Sequence, residues 1–166
     1  MFDGLESESL EIRQAASAAI FQSYQVDRQK VAVVVEKYLP VNGREGTVRD
    51  SILLLGKLRA AEYAPLLARH LTFEAYYKNT KRPQTTEDLY PAVAALIDIG
   101  SPAVTPVLER LKREDGEVLE RTGAAVLHGV LGSKWATVIL EYELRAADQQ
   151  DVRERLQRLL QRLLAP

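Results

Sequence analysis

Apolar residues recur with a helical period along most of the chain, and residues 90–111, YPAVAALIDIGSPAVTPVLERL, show it best. The second half of this stretch carries Val104, Val107, Leu108 and Leu111 at i, i+3, i+4 and i+7, one face of a 3.6-residue helix. The first half, with Leu89 just before it, carries Val93, Leu96 and Ile97. Between them stand Gly100, Ser101 and Pro102. Gly stops a helix in the left-handed conformation, Ser caps the next one, and Pro is pre-set for a first helical turn. So short a connection predicts two antiparallel helices with their apolar faces in contact. Neither helix buries its face alone.

Neighbours of the same kind are present. Residues 48–71 (VRDSILLLGKLRAAEYAPLLARHL) run in register with 89–111, Val48 aligning with Leu89, Leu55 with Leu96, Leu58 with Ile99 and Pro65 with Pro106. A shared proline is informative, because a helix accepts proline only in its first turn or at a kink. Residues 121–132 (RTGAAVLHGVLG) repeat the first-helix pattern, and 13–24 (RQAASAAIFQSY) do so more loosely. The starts are spaced by roughly 30–40 residues, the period of helical-hairpin solenoids.

In AALIDIGSPAVTPVLERL, and in VRDSILLLGKL with its downstream YAPLLARHL, the chain resembles the HEAT-repeat family, including its short bacterial form. Repeats of that family end their first helix in Leu-Gly-x-Ile/Leu-Gly, followed by a turn residue, a proline and a second helix with another proline. Here Ile97 replaces the usual glycine, and only the third repeat has both prolines. The resemblance implies an all-α, right-handed α-solenoid of about four HEAT-like hairpins with a C-terminal capping helix, as a single domain over residues 1–166. A solenoid distributes its core between neighbouring repeats.

The remaining segments fit that outline. Residues 1–9 read as a frayed polar lead-in, and helix one runs from about Leu10 to Tyr24. The VAVVV run at 31–35 has the β-branched content of a strand, but its flanking charge and place in the repeat favour a second helix. A helix over 117–131, a Gly132–Ser133 turn and a further helix whose apolar set is Trp135, Val138, Ile139 and Tyr142 make the fourth hairpin. Asp151 caps a last helix bearing Val152, Leu156, Leu159, Leu160 and Leu163.

Composition narrows function more than it defines it. The formal net charge is −1, which gives no global attraction to nucleic acid or an anionic membrane. With no cysteine, disulfides and thiol or Cys–zinc chemistry are excluded. No apolar run approaches the length of a membrane span and no signal peptide precedes the fold, so a cytoplasmic protein is expected. His70 and His128, the only histidines, lack convergent ligands and read as structural. Asp98 reads as a backbone hydrogen-bonding partner at a helix end, and Arg13, Arg49 and Arg121 as members of inter-repeat ion pairs with Glu11, Asp50 or Glu120. The arginines of the last helix suit a capping element better than a membrane-surface one. No catalytic constellation, cofactor fingerprint or metal-ligand spacing is present, so the chain reads as a non-enzyme without cofactors.

The expected activity is therefore an interaction scaffold or adaptor whose partner is another protein. Residues 73–82 lengthen one inter-repeat connection and combine Phe73, Tyr76 and Tyr77 with Lys78, Lys81 and Arg82, residue types enriched at interface hot spots. The competing reading is that the aromatics close the gap between repeats two and three. In the HEAT family the second helix of each pair lines the concave side, so the resemblance implies a partner surface including Arg28, Glu36, Arg69, Glu109, Lys112, Lys134 and Glu141. Their mixed signs suit a protein better than a polyanion. Two alternatives stay open: a HEAT-like enzyme of the bilin-lyase or DNA-glycosylase kind, and a segment of a larger regulatory solenoid. An uncovered apolar face at Leu5, Leu10 and Ile12 would favour the segment. Oligomeric state is not legible at this level.

Overall fold

A computed structural model describes residues 2–24, 39, 45–75 and 85–164, and among them every regular element is helical. The VAVVV run lies outside the described residues. We number the helices α1 (Leu10–Tyr24), α2 (Glu45–Lys57), α3 (Ala64–Ala68), α4 (Thr86–Leu89), α5 (Pro91–Ile99), α6 (Val104–Arg113), α7 (Glu117–Ala146) and α8 (Gln150–Leu164).

The lead-in is not frayed. Phe2–Glu6 forms a 3₁₀ turn, Leu5 is fully buried, and the Thr47 hydroxyl donates to the Leu5 carbonyl at 2.8 Å. Leu5 and that hydrogen bond, with Arg13 of α1 donating to the Ser7 and Glu8 carbonyls at 2.7 and 3.0 Å, hold the segment against α1 and α2.

Both Gly-Ser connections turn at a glycine of positive φ, but the serine that follows caps neither next helix: no side-chain cap bond forms at the start of α6, and the Ser133 hydroxyl meets His128. Gly100 has φ 81°, ψ −144°, and a 3₁₀ turn over Ser101–Ala103 leads into α6. Gly132 has φ 73°, ψ 161° and interrupts α7, so 117–131 and 133–146 are two helices that diverge at that residue. By length and composition α7 could cross a membrane. The break leaves no straight segment above about 15 residues, roughly 22 Å, against a hydrocarbon core near 30 Å. Pro106 stands in the first turn of α6, and Pro65 is the second residue of α3, which a 3₁₀ turn over Ala61–Tyr63 precedes.

The first helices meet through glycines. A Cβ on Gly56 of α2 would stand 2.4 Å from the Ala95 Cα of α5, so these two helices touch backbone to backbone. A Cβ on Gly129 of α7 would stand 2.5 Å from Ile97 Cδ1 of α5. Around these crossings Ile52, Leu55, Val93, Leu96, Val126 and Leu127 are wholly buried. α3 packs against α6, and α6 against α7. α8 lies against α6 and α7 with Leu156 and Leu159 buried.

Candidate functional site

The α3–α6 pair encloses a shallow groove of about 340 Å³ lined by Pro65, Ala68, Arg69, Thr105, Pro106 and Glu109, with Arg110, Arg113 and Glu114 at its edge. Its charges are mostly engaged. Arg110 donates to the Ala68 carbonyl and pairs with Glu114 at 3.0 Å, which ties the two walls together. Glu109 accepts from Lys112 at 2.8 Å and Arg113 at 3.2 Å. Lys112 also reaches Glu143 on 133–146 at 3.1 Å. The hydrogen bond from Lys112, then its charge, holds the Glu109 carboxyl below the ordinary carboxylate range, and the same bond raises the Lys112 ammonium above its usual value. Arg69 is exposed and makes no ion pair among the described residues. Of the expected concave residues, then, Arg69 and Glu109 share one groove, and Glu109 and Lys112 join one ion network.

Lys134 and Glu141 flank three exposed apolar side chains. Trp135, Val138 and Tyr142 were expected to face the core. They are 60%, 45% and 69% exposed instead, while Ala136 and Leu140 are wholly buried and Ile139 is partly so. A usable signal was in the sequence. SKWATVILEYELR (133–145) runs in register with SPAVTPVLERLKR (101–113), placing Ala136 with Val104 and Leu140 with Leu108. Val138 and Tyr142 then fall at the positions of Pro106 and Arg110, which line the groove rather than the core, whereas Trp135 falls at buried Ala103 and its exposure is not foretold.

The long connection is only partly described. Tyr76, Tyr77, Lys78, Lys81 and Arg82 lie outside the described residues, as do Arg28 and Glu36 of the expected concave set. Phe73 is partly buried and packs against the core, so this one aromatic has a structural role. The base of the connection is tied. The Ala75 N–H donates to the Leu89 carbonyl at 2.8 Å, and Thr85 and Asp88 form a reciprocal capping box at the start of α4.

His70 is buried, with Nδ1 3.1 Å from the Leu66 carbonyl oxygen and Nε2 3.1 Å from that of Leu39, which is a structural setting. His128 is exposed, with Nε2 3.0 Å from the Ser133 hydroxyl across the Gly132 break. Among the described residues no three His, Asp or Glu side chains converge as metal ligands. Asp98 differs from its expected role: it is exposed and makes no hydrogen bond there.

Arg13 does reach from α1 to α2, pairing with Asp50 at 2.9 Å, and Arg49 also contacts Asp50, at 2.7 Å. Arg121 instead donates to the Tyr90 hydroxyl at 2.8 Å, because Glu120 is taken by α8. Arg158 meets Glu120 and Asp115, each at 2.8 Å, and Arg162 stands 4.0 Å from Glu120. Arg155 donates to the Lys112 carbonyl at 2.7 Å, at the C-terminal end of α6. The arginines of α8 are spent on the fold.

Set beside known protein families, curated proteins and solved structures, the chain matches none.

Proposed function

We propose that the chain is a right-handed α-solenoid of about four HEAT-like hairpins sealed by α8, and that it serves as a non-catalytic scaffold for another protein. The hairpin reading is supported by the matching Gly100 and Gly132 turns and by the successive crossings of α2, α5 and α7. One observation carries the scaffold reading. Trp135, Val138 and Tyr142 form an exposed apolar stripe on 133–146, with Lys134 and Glu141 beside it. Trp and Tyr dominate interface hot spots, and leaving both in water gains the fold nothing.

Binding experiments test this directly. Wild-type protein and the Trp135→Ala/Tyr142→Ala variant serve as baits under the same conditions, with circular dichroism checking that both fold. A protein retained by the first and lost by the second is the expected outcome. Identical profiles would remove the stripe as a partner surface. The connection is tested separately: replacing residues 78–84 by a Gly/Ser linker spares the Thr85–Asp88 box and should leave the melting temperature nearly unchanged. If that variant also loses the partner, the connection contributes to binding.

A second reading, a segment of a larger regulatory solenoid, has one feature in its favour. Leu10 and Ile12 of α1 are exposed, although Leu5, the third residue of that expected face, is buried.

A further inference from the structure

The stripe on 133–146 is complementary to itself, and we propose that its occupant is a second copy of this chain, docked antiparallel about a two-fold axis near Val138. This rests on reading the stripe as a docking surface and adds what fills it. The order along the helix is Lys134, Trp135, Val138, Glu141, Tyr142. The two aromatics stand at i−3 and i+4 from Val138, and the two opposite charges at i−4 and i+3. Turning a copy end for end about Val138 therefore sets Trp135 of each chain beside Tyr142 of the other. It also brings Lys134 within reach of Glu141 of the other copy. An isologous contact requires this property, a patch whose two halves match each other.

The remaining details agree. The 3-4 spacing of 135, 138 and 142 is that of a helix–helix seam, with the smallest side chain at the crossing point, where helices approach most closely. Lys134 is exposed and makes no ion pair among the described residues, and Glu141 has only an exposed partner, Arg145, at 3.5 Å. Both charges are thus available at the rim. A basic N-terminal end meeting an acidic residue near the C-terminal end also opposes a parallel arrangement, in which Lys134 would face Lys134. Area sets the strength. At these exposures the three side chains offer on the order of 350 Å² per copy. Twice that falls below the roughly 1,200 Å² of standard stable interfaces, so the contact belongs to the weak, transient class.

Sedimentation equilibrium between about 10 μM and 1 mM tests the association, and Trp135, the only tryptophan, reports its location. The expected result is a concentration-dependent dimer with dissociation constant in the tens to hundreds of micromolar, accompanied by a blue shift of Trp135 emission. Val138→Glu, at an exposed position, should weaken it at least tenfold without loss of helicity. Lys134→Glu should weaken it, and adding Glu141→Lys should restore it. Because the chain has no cysteine, mixing Lys134→Cys and Glu141→Cys proteins under oxidation tests orientation: an antiparallel pair yields the mixed cross-link. A monomer up to 1 mM, a dimer indifferent to Val138→Glu, or cross-links only between identical variants would overturn the proposal. A monomer that still binds another protein through Trp135 and Tyr142 would leave the scaffold reading standing and remove only self-docking.

Discussion

Ile97 occupies the volume that a side chain on Gly129 would need: a Cβ there would stand 2.5 Å from Ile97 Cδ1 and 2.8 Å from its Cγ1. The bulk of Ile97 on α5 is accommodated by the missing side chain at Gly129 on α7.

That relationship fixes the sign of a mutation. On an open helix Gly→Ala stabilises by up to about 1 kcal/mol. Gly129→Ala should instead be neutral or destabilising, because Ile97 must leave its rotamer, at about 1 kcal/mol. In an Ile97→Ala background the same change should stabilise, so thermal melts of the four proteins should show coupling of at least about 1 kcal/mol.

Gly56→Ala should be more severe. Its Cβ would meet Ala95 Cα at 2.4 Å and the Ala95 carbonyl oxygen at 3.0 Å, backbone atoms that no rotamer change can move. Overpacking of this kind costs about 1–3 kcal/mol or more. Urea unfolding should show the loss, and trimming side chains on α5 should not rescue it.

The attachment of α8 depends on a carboxylate that is 6% exposed. Arg158→Ala leaves Glu120 with only the 4.0 Å contact to Arg162, and should cost about 2 kcal/mol. Replacing Glu120 by Leu in the same protein removes the stranded charge and should recover most of that loss. A double variant no more stable than Arg158→Ala would show that desolvation of Glu120 is not the cause.

Stability should decline with acid partly through Glu109. Its folded carboxyl lies below the ordinary value of 4.5, first through the Lys112 hydrogen bond and then through the Lys112 charge. A depressed value means that the contribution is complete above 4.5 and is lost as pH falls through the folded value. The side chain is partly exposed, so solvent screening keeps the effect below about 1 kcal/mol. The melting-temperature difference between wild type and Lys112→Met should accordingly be larger at pH 7 than at pH 3.

Nucleic acid should bind weakly at most. Arg110, Arg155 and Arg158 are committed to carbonyls and carboxylates within the fold, and phosphate contacts supply most nonspecific affinity. Fluorescence anisotropy at about physiological salt should show no sub-micromolar binding of duplex or single-stranded DNA. Tight, salt-sensitive binding would revive the glycosylase-like alternative.

Local chemistry was readable from the chain alone. Gly100 and Gly132 announced their turns, the helical period of residues 104–111 is carried by Val107, Leu108 and Leu111, all buried, and Arg13 of α1 found Asp50 on α2. What periodicity does not fix is the rotation of a helix about its axis when apolar residues cover more than one face. On 133–146, Trp135, Val138, Ile139 and Tyr142 compete with Ala136 and Leu140 for the interior. The smaller pair is buried; comparison with residues 101–113 marks Val138 and Tyr142 as outward, but it aligns Trp135 with buried Ala103 and does not foretell its exposure. Arg121 was misassigned for a different reason. Its neighbour Glu120 is claimed by α8, an element about 38 residues downstream, as the Arg158 contact shows.

Because Ala75 and Leu89 are hydrogen-bonded and α2 touches α5 at Gly56 and Ala95, the halves of the protein are joined by surfaces rather than by the thread between them. A protein nicked between residues 75 and 85 should elute intact from a gel-filtration column and separate into two pieces only in denaturant. The two pieces, made separately, should then associate when mixed.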